Sequence, residues 1–305
     1  MEHVCQLYLG LNNGVRDGRV RGMKMRLAVV LFLLTGLSRG EPSVSGTNTL
    51  CFGMVTDAHY ADTDARGGRT YRDGLKLMRE CVATMNHEKV DFVVELGDFK
   101  DQDNPPIEAK TLIYLKTIEA EFAKFVGPRY HVLGNHDMDS LSKKAFLASV
   151  ESTGIPMEKS YYAFVHKGVQ CIVLDANFKR DGTPYDKGNF DWKDANIPKE
   201  EMAWLRKTLS EHNGKAIVFV HQRLDNDGAA ICVRNAAEVR NVLVESKKVV
   251  AVFSGHDHPG AISVMDGIAY YTLRWLTSGY AIVEMSNEGT LTVKGFRKVA
   301  STALK

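Results

Sequence analysis

Little in this chain ties it to thiol chemistry, membranes or nucleic acids. Five cysteines occur among 305 residues: Cys5, Cys51, Cys81, Cys171 and Cys232. No two form a CxxC pair and no spacing suits thiolate zinc ligands, so they read as small buried thiols. There is no internal repeat and no low-complexity stretch. The apolar run 27–37 falls short of the ~20 residues that a membrane-spanning helix needs, so no stable membrane span is expected. The formal net charge is only +2. Residues 1–40 hold six basic side chains (Arg16, Arg19, Arg21, Lys24, Arg26, Arg39) and two acidic ones (Glu2, Asp17). Subtracting them from 39 basic and 37 acidic leaves 33 and 35, a net of −2. No basic footprint for a nucleic-acid groove remains.

What is present is a composition of 44% hydrophobic and 25% charged residues, that of a soluble globular protein with a sizeable core. Lys24 and Arg26, the apolar run 27–37, and the small residues Ser38 and Gly40 follow the order of a secretory signal peptide. The expectation is a leader over 1–40 with its signal at about 23–40. A linker at 41–48 and one domain over 49–305 would follow, in a secreted or periplasmic protein.

The domain is organised around Gly134-Asn135-His136-Asp137, which follows the apolar run 130–133. The glycine lets the backbone turn sharply. An Asn oxygen can bind a hard cation, a His can ligate or shuttle a proton, and an Asp can orient that His. Four other strand-like runs end the same way. Residues 50–56 lead to Asp57-Ala58-His59, and 91–96 lead to Gly97-Asp98. Residues 215–220 lead to His221, and 249–254 lead to Gly255-His256-Asp257-His258. Asp57 and His59, two apart on an extended segment, would point the same way.

Helical spacing marks Leu75, Met78, Val82 and Met85, then Leu115, Ile118, Phe122 and Phe125. It marks Met202, Leu205 and Leu209, then Val239, Val242 and Leu243. Ser140 is placed to cap a short helix, and Asn235 with Glu238 resembles a capping box. Residues 161–166 and 169–174 read as a hairpin around Lys167-Gly168. Residues 176–198 lack periodicity, and so long a loop suits a lid or binding element, or a plain surface excursion. Residues 261–297 read as three antiparallel strands.

Ligands of open α/β sheets bind beyond the carboxyl ends of strands, so five such ends would converge. Oxygen and imidazole donors without thiolate suit Mn, Fe, Zn or Co. Seven candidates (Asp57, His59, Asp98, Asn135, His221, His256, His258) exceed one ion and suit two, if a carboxylate bridges. A metal-binding scaffold without turnover is an alternative, and so is a single-metal redox enzyme. The first would be marked by lost ligands. The second would need neither Asn135 nor a bridging Asp98.

In this order the motifs resemble the calcineurin-like metallophosphoesterase superfamily over about residues 50–260. The resemblance implies a four-layer αββα sandwich, two mixed β-sheets flanked by helices. It implies one divalent ion (Mn, Fe or Zn) on Asp57, His59, Asp98 and His258. It implies a second on Asn135, His221 and His256, with Asp98 bridging. His136 would stand beside the leaving group, held by Asp137. The implied reaction is hydrolysis of a small phosphorylated substrate by a metal-bridging hydroxide, the ions lowering the pKa of the water. Tyr71-Arg72-Asp73, Asn226-Asp227 with Cys232, and 255–260 are similar in layout to the manganese-dependent ADP-ribose/CDP-alcohol diphosphatase branch. That makes a nucleotide-diphosphate hydrolase the alternative to a general phosphoesterase. Arg66 and Arg69, in the loop after Asp57, are candidate donors to a second phosphate.

Overall fold

The computed structural model describes residues 49–304. The expected leader and linker, 1–40 and 41–48, lie outside the described residues.

The apolar runs become strands because both of their faces are covered. In β1 (Leu50–Val55), Phe52 and Met54 point to a core between two sheets, while Cys51 and Val55 point to a helical layer. β6 (Ala216–Phe219) does the same, with Ile217 and Phe219 inward and Ala216 and Val218 outward. Two-sided burial is why these strands read as continuous apolar runs rather than alternations. Gly53 makes room for the helical layer: a Cβ there would lie 2.5 Å from Met85 Sδ.

The first half supplies β1, α1 (Asp73–Glu88), β2 (Phe92–Glu95), α2 (Glu108–Phe122), β3 (Arg129–His131) and the short α3 (Lys143–Leu147). Next come β4 (Tyr162–His166), β5 (Val169–Val173), α4 (Lys199–Glu211), β6, α5 (Ala236–Ser246) and β7 (Val249–Ser254). The tail holds β8 (Ala261–Met265), β9 (Ile268–Thr272), β10 (Ala281–Met285), β11 (Leu291–Gly295) and β12 (Thr302–Leu304). One sheet runs β12-β11-β10-β1-β2-β3 and the other β4-β5-β6-β7-β9-β8. Each contains parallel and antiparallel pairs. Phe52, Phe92, Phe219 and Phe253 fill the space between the sheets. α1 and α2 cover one outer face, α4 and α5 the other. This is the expected four-layer sandwich.

Three local readings need correction. Residues 261–297 hold four strands rather than three, split between the sheets, and β9 runs parallel to β7; β12 follows beyond them. Alternation alone cannot reveal that the segment changes partners at residues 273–280. Ser142, not Ser140, caps α3, its Oγ accepting from Ala145 N at 3.0 Å. Asn235 precedes α5 without a side-chain cap. Its amide instead accepts from Ile197 N and donates to Ile197 O, pinning the end of the long loop. Among the described residues, no helix is long and apolar enough to cross a membrane. Cys81, Cys171 and Cys232 are buried and Cys51 half-buried, all as free thiols.

Candidate metal centre

β1, β2 and β3 run parallel in one sheet, β6 and β7 in the other. The turns after their carboxyl ends meet. Asp57 Oδ1 lies 3.6 Å from His59 Nε2 and 3.3 Å from His258 Nε2. Asp98 Oδ2 lies 3.7 Å from His59 Nε2 and 3.3 Å from His221 Nε2. One carboxylate oxygen thus stands between rings carried by different sheets. Asp57, His59 and His258 form one cluster, and Asp98, His221 and His256 another.

The turns are tight at the candidate ligands themselves. Asp57, His59, Asp98 and His256 have positive φ, at 51°, 43°, 55° and 66°. Non-glycine residues there cost of order 1–3 kcal/mol each, a strain that clusters at functional sites. Asp57 and His59 therefore converge through two left-handed turns, not through the extended alternation expected. Gly134 permits a close backbone approach: a Cβ there would overlap Asp98 N.

Buried polar atoms at the site are orphaned. Asp57 Oδ1, Asn135 Oδ1, His221 Nε2 and His256 Nε2 are buried and have no hydrogen-bond partner. Each such buried atom costs ~1–3 kcal/mol when unpaired, and divalent cations would satisfy all four. Ring orientation agrees. His221 Nδ1 lies 2.8 Å from the Leu96 carbonyl oxygen, which can only accept, so in the neutral ring Nε2 keeps its lone pair for the cavity. Burial opposes charge on His221, but Asp98 and Asp57 outweigh it and push the ring up to about 10. Burial likewise opposes ionisation of Asp57, yet His258 and His59 hold it well below the usual carboxylate range. The centre draws positive charge, proton or cation.

Two residues outside the expected set complete it. Asp101 Oδ2 faces His59 Nδ1 at 3.4 Å and His136 Nδ1 at 3.8 Å. Carboxylates on the far nitrogen of a ligating His fix its tautomer. The sequence signal was the third residue after Asp98 on the same turn. Trp275 stacks on His258, centroids 4.6 Å apart, from the loop between β9 and β10. No local pattern marks it.

Asp137 does not hold the His136 ring. Its Oδ2 accepts from Gly134 N at 2.8 Å and Asp98 N at 3.1 Å, its Oδ1 from Phe99 N at 3.0 Å. Following directly on His136 in a 3-10 turn (His136–Met138), it points back under the strand ends. Asp101 takes the place facing the ring. Lys100, fully buried on Asp139, donates to the His136 carbonyl at 2.5 Å and fixes its backbone.

A cavity of about 490 Å³ opens over the centre, lined by Asp98, Asn135, His136, His256 and His258. Arg69 enters it, with Nη2 3.3 Å from His136 Nε2. Phe190 and Trp192 line it from the long loop 176–198, and Ile231 from the loop after β6. The long loop docks through Gly188 N to Met138 O at 2.8 Å and Asn177 Nδ2 to Leu133 O at 2.6 Å. Arg66 stays outside the cavity lining, donating to the Gln102 carbonyl and lying over the Tyr71 ring. Another cavity, of about 520 Å³ beside Glu119, Arg129 and Met157, contains none of the metal-type residues. Burial pushes His136 down to about 4, with His59 and Arg69 adding to the effect against Asp98 and Asp101.

A manganese-dependent ADP-ribose/CDP-alcohol diphosphatase of Oryza sativa subsp. japonica is 28% identical over 302 residues, covering 83% of this chain and 93% of that protein. One of the same name from Danio rerio is 25% identical over 263 residues, covering 68% and 81%. The crystal structure of a dimetal phosphatase from Danio rerio shares the fold, with a TM-score of 0.71 at 21% identity over 84% of this chain and 98% of that one. Residues 52–260 match the family model for calcineurin-like phosphoesterases. With strand ends, donor set and fold in agreement, the chain belongs to the calcineurin-like phosphoesterase family, metal-dependent hydrolases of phosphoric esters.

Proposed function

We propose that this phosphoesterase cleaves the diphosphate linkage of a nucleotide-type substrate, the class named for its ADP-ribose/CDP-alcohol diphosphatase relatives. The observation that carries the reading is Arg69. Among the described residues it is the one guanidinium lining the cavity of the metal-type residues, beside His136. A monoester has no second phosphate for it.

In this reading Asp57, His59, Asp98 and His258 would hold one divalent ion. Asn135, His221 and His256 would hold the other, with Asp98 shared between them. When bound, such ions supply Lewis acidity toward a phosphoryl group and lower the pKa of a coordinated water. The chain's own residues do the rest. Asp101 keeps His59 in the ligating tautomer. Arg69 binds the phosphate that is not attacked. His136 protonates the departing oxygen, which requires the anionic substrate to offset the burial that keeps the free ring neutral. Phe190 and Trp192 form an apolar wall for the part of the substrate beyond the phosphates.

A substrate panel with Mn²⁺ tests this. ADP-ribose and a CDP-alcohol should be hydrolysed in preference to sugar monophosphates and nitrophenyl phosphate. Arg69→Ala should raise KM for ADP-ribose roughly 10–100-fold, the scale of losing a hydrogen bond between charged groups, and leave nitrophenyl phosphate turnover nearly unchanged. Preference for monoesters, or equal loss on both substrates, would sink the proposal and leave a general phosphatase.

A further inference from the structure

The turn that carries His256 and His258 has an anchor with no part in holding metal or substrate. Asp257 lies between the two ligands, and its Oδ2 accepts from Arg223 Nη1 at 2.7 Å. Its other two nitrogens are engaged as well. Nε and Nη2 bind Asp225 in a two-pronged pair at 2.9 and 3.0 Å. Asp225 in turn accepts from Ser263 Oγ at 2.5 Å, on β8. Arg223 follows His221 by two residues, on the segment leaving β6, and its side chain is 11% exposed. The clamp thus ties together the ends of β6 and β7 and the start of β8.

We infer that Arg223 is a positioning residue of the dimetal centre, setting His256 and His258 through Asp257. The inference rests on the ligand assignment above, in which His258 serves one ion and His256 the other. A small rotation of one turn would then displace a ligand from each. Beside the clamp, His256 N donates to Asp57 Oδ2 at 3.0 Å, the His256 ring faces His221 and Trp192, and His258 stacks on Trp275 and faces His59. His256 also sits at φ 66°, a conformation that the surroundings must hold in place.

The test uses the sign of an effect. Arg223 is a cation near a site for cations, so simple electrostatics predicts that Arg223→Ala binds Mn²⁺ more tightly. Positioning predicts the reverse, a 10–100-fold weaker affinity, as for other groups that orient metal ligands. Mn²⁺ affinity and stoichiometry are measured by calorimetry and by the electron paramagnetic resonance of free Mn²⁺, well below the unfolding temperature of the metal-free protein. Arg223→Lys keeps the charge, loses the planar fork, and should also bind more weakly. Asp257→Asn keeps the shape, guards against a misfolded Arg223→Ala, and should also weaken binding. Combined with Arg223→Ala it should add little, because both break one contact. Arg206→Ala, at a surface pair with Glu245, is the control. Unchanged or tighter Mn²⁺ binding in Arg223→Ala, or unchanged binding in Asp257→Asn, overturns the inference. Absence of Mn²⁺ binding by the wild type would instead overturn the metal assignment beneath it.

Discussion

Replacing Asp137 separates a carboxylate that aims a ring from one that builds the floor beneath it. The side chain is fully buried and accepts from the backbone N–H groups of Asp98, Phe99 and Gly134. Asp137→Ala leaves three buried donors unpaired. At ~1–3 kcal/mol each the sum is roughly 3–9 kcal/mol. Water entering the vacated space would return part of it, so the expected loss is roughly 3–5 kcal/mol, the range of the most damaging single substitutions. Asp137→Asn keeps one acceptor oxygen. Placed where Oδ2 serves Asp98 and Gly134, it turns its NH₂ toward the Phe99 N–H, and the loss should be about 1–3 kcal/mol. Urea unfolding of the metal-free proteins gives both values. Mn²⁺ affinity should fall in parallel, because the Gly97-Asp98 turn rests on this carboxylate. The reasoning fails if Asp137→Ala stays within ~1 kcal/mol of wild type while only substrates with poor leaving groups slow down. That pattern would return Asp137 to the role of orienting His136.

Three further outcomes are expected. Asp98→Asn should weaken both metal sites, since a neutral amide is a poorer bridge; elemental analysis showing two tightly held ions in that variant would contradict this. His136→Ala should slow an alkyl phosphate ~10²–10⁴-fold and a nitrophenyl phosphate much less, and equal slowing of both would remove the proton-donor role. His131 lies between Glu95 and Glu119, its nitrogens 3.3 and 3.1 Å from their oxygens. Burial opposes its charge, but the carboxylates outweigh burial and push it up to about 9. Its stabilisation is therefore full below its ordinary value of 6.5 and is lost as pH rises through about 9. An imidazole titration by nuclear magnetic resonance with a midpoint at or below 6.5 would refute that pairing.

Much of this protein was written in one dimension. A parallel strand buried on both faces must be a continuous apolar run, and the residue after its carboxyl end must lie at the site edge. Those two constraints are local, so Asp57, Asp98, Asn135, His221 and His256 announced themselves by position. The αββα layering was implied by the family resemblance that those motifs carry, and the helical stripes between the runs fit it. Partnership was not local. Asp137 and Asp101 are both acids beside turns that carry candidate ligands, and only the packing of β2 against β3 decides that the first meets backbone N–H groups and the second meets imidazoles. The left-handed turns at Asp57 and His59, the partner change in the tail, Trp275 on His258, and Arg223 on Asp257 are likewise contacts or bends set by the assembled sheets. Residue type and spacing determined which chemistry this chain could hold. Which groups aim it was left to tertiary structure, because orientation depends on neighbours that the sequence keeps tens of residues apart.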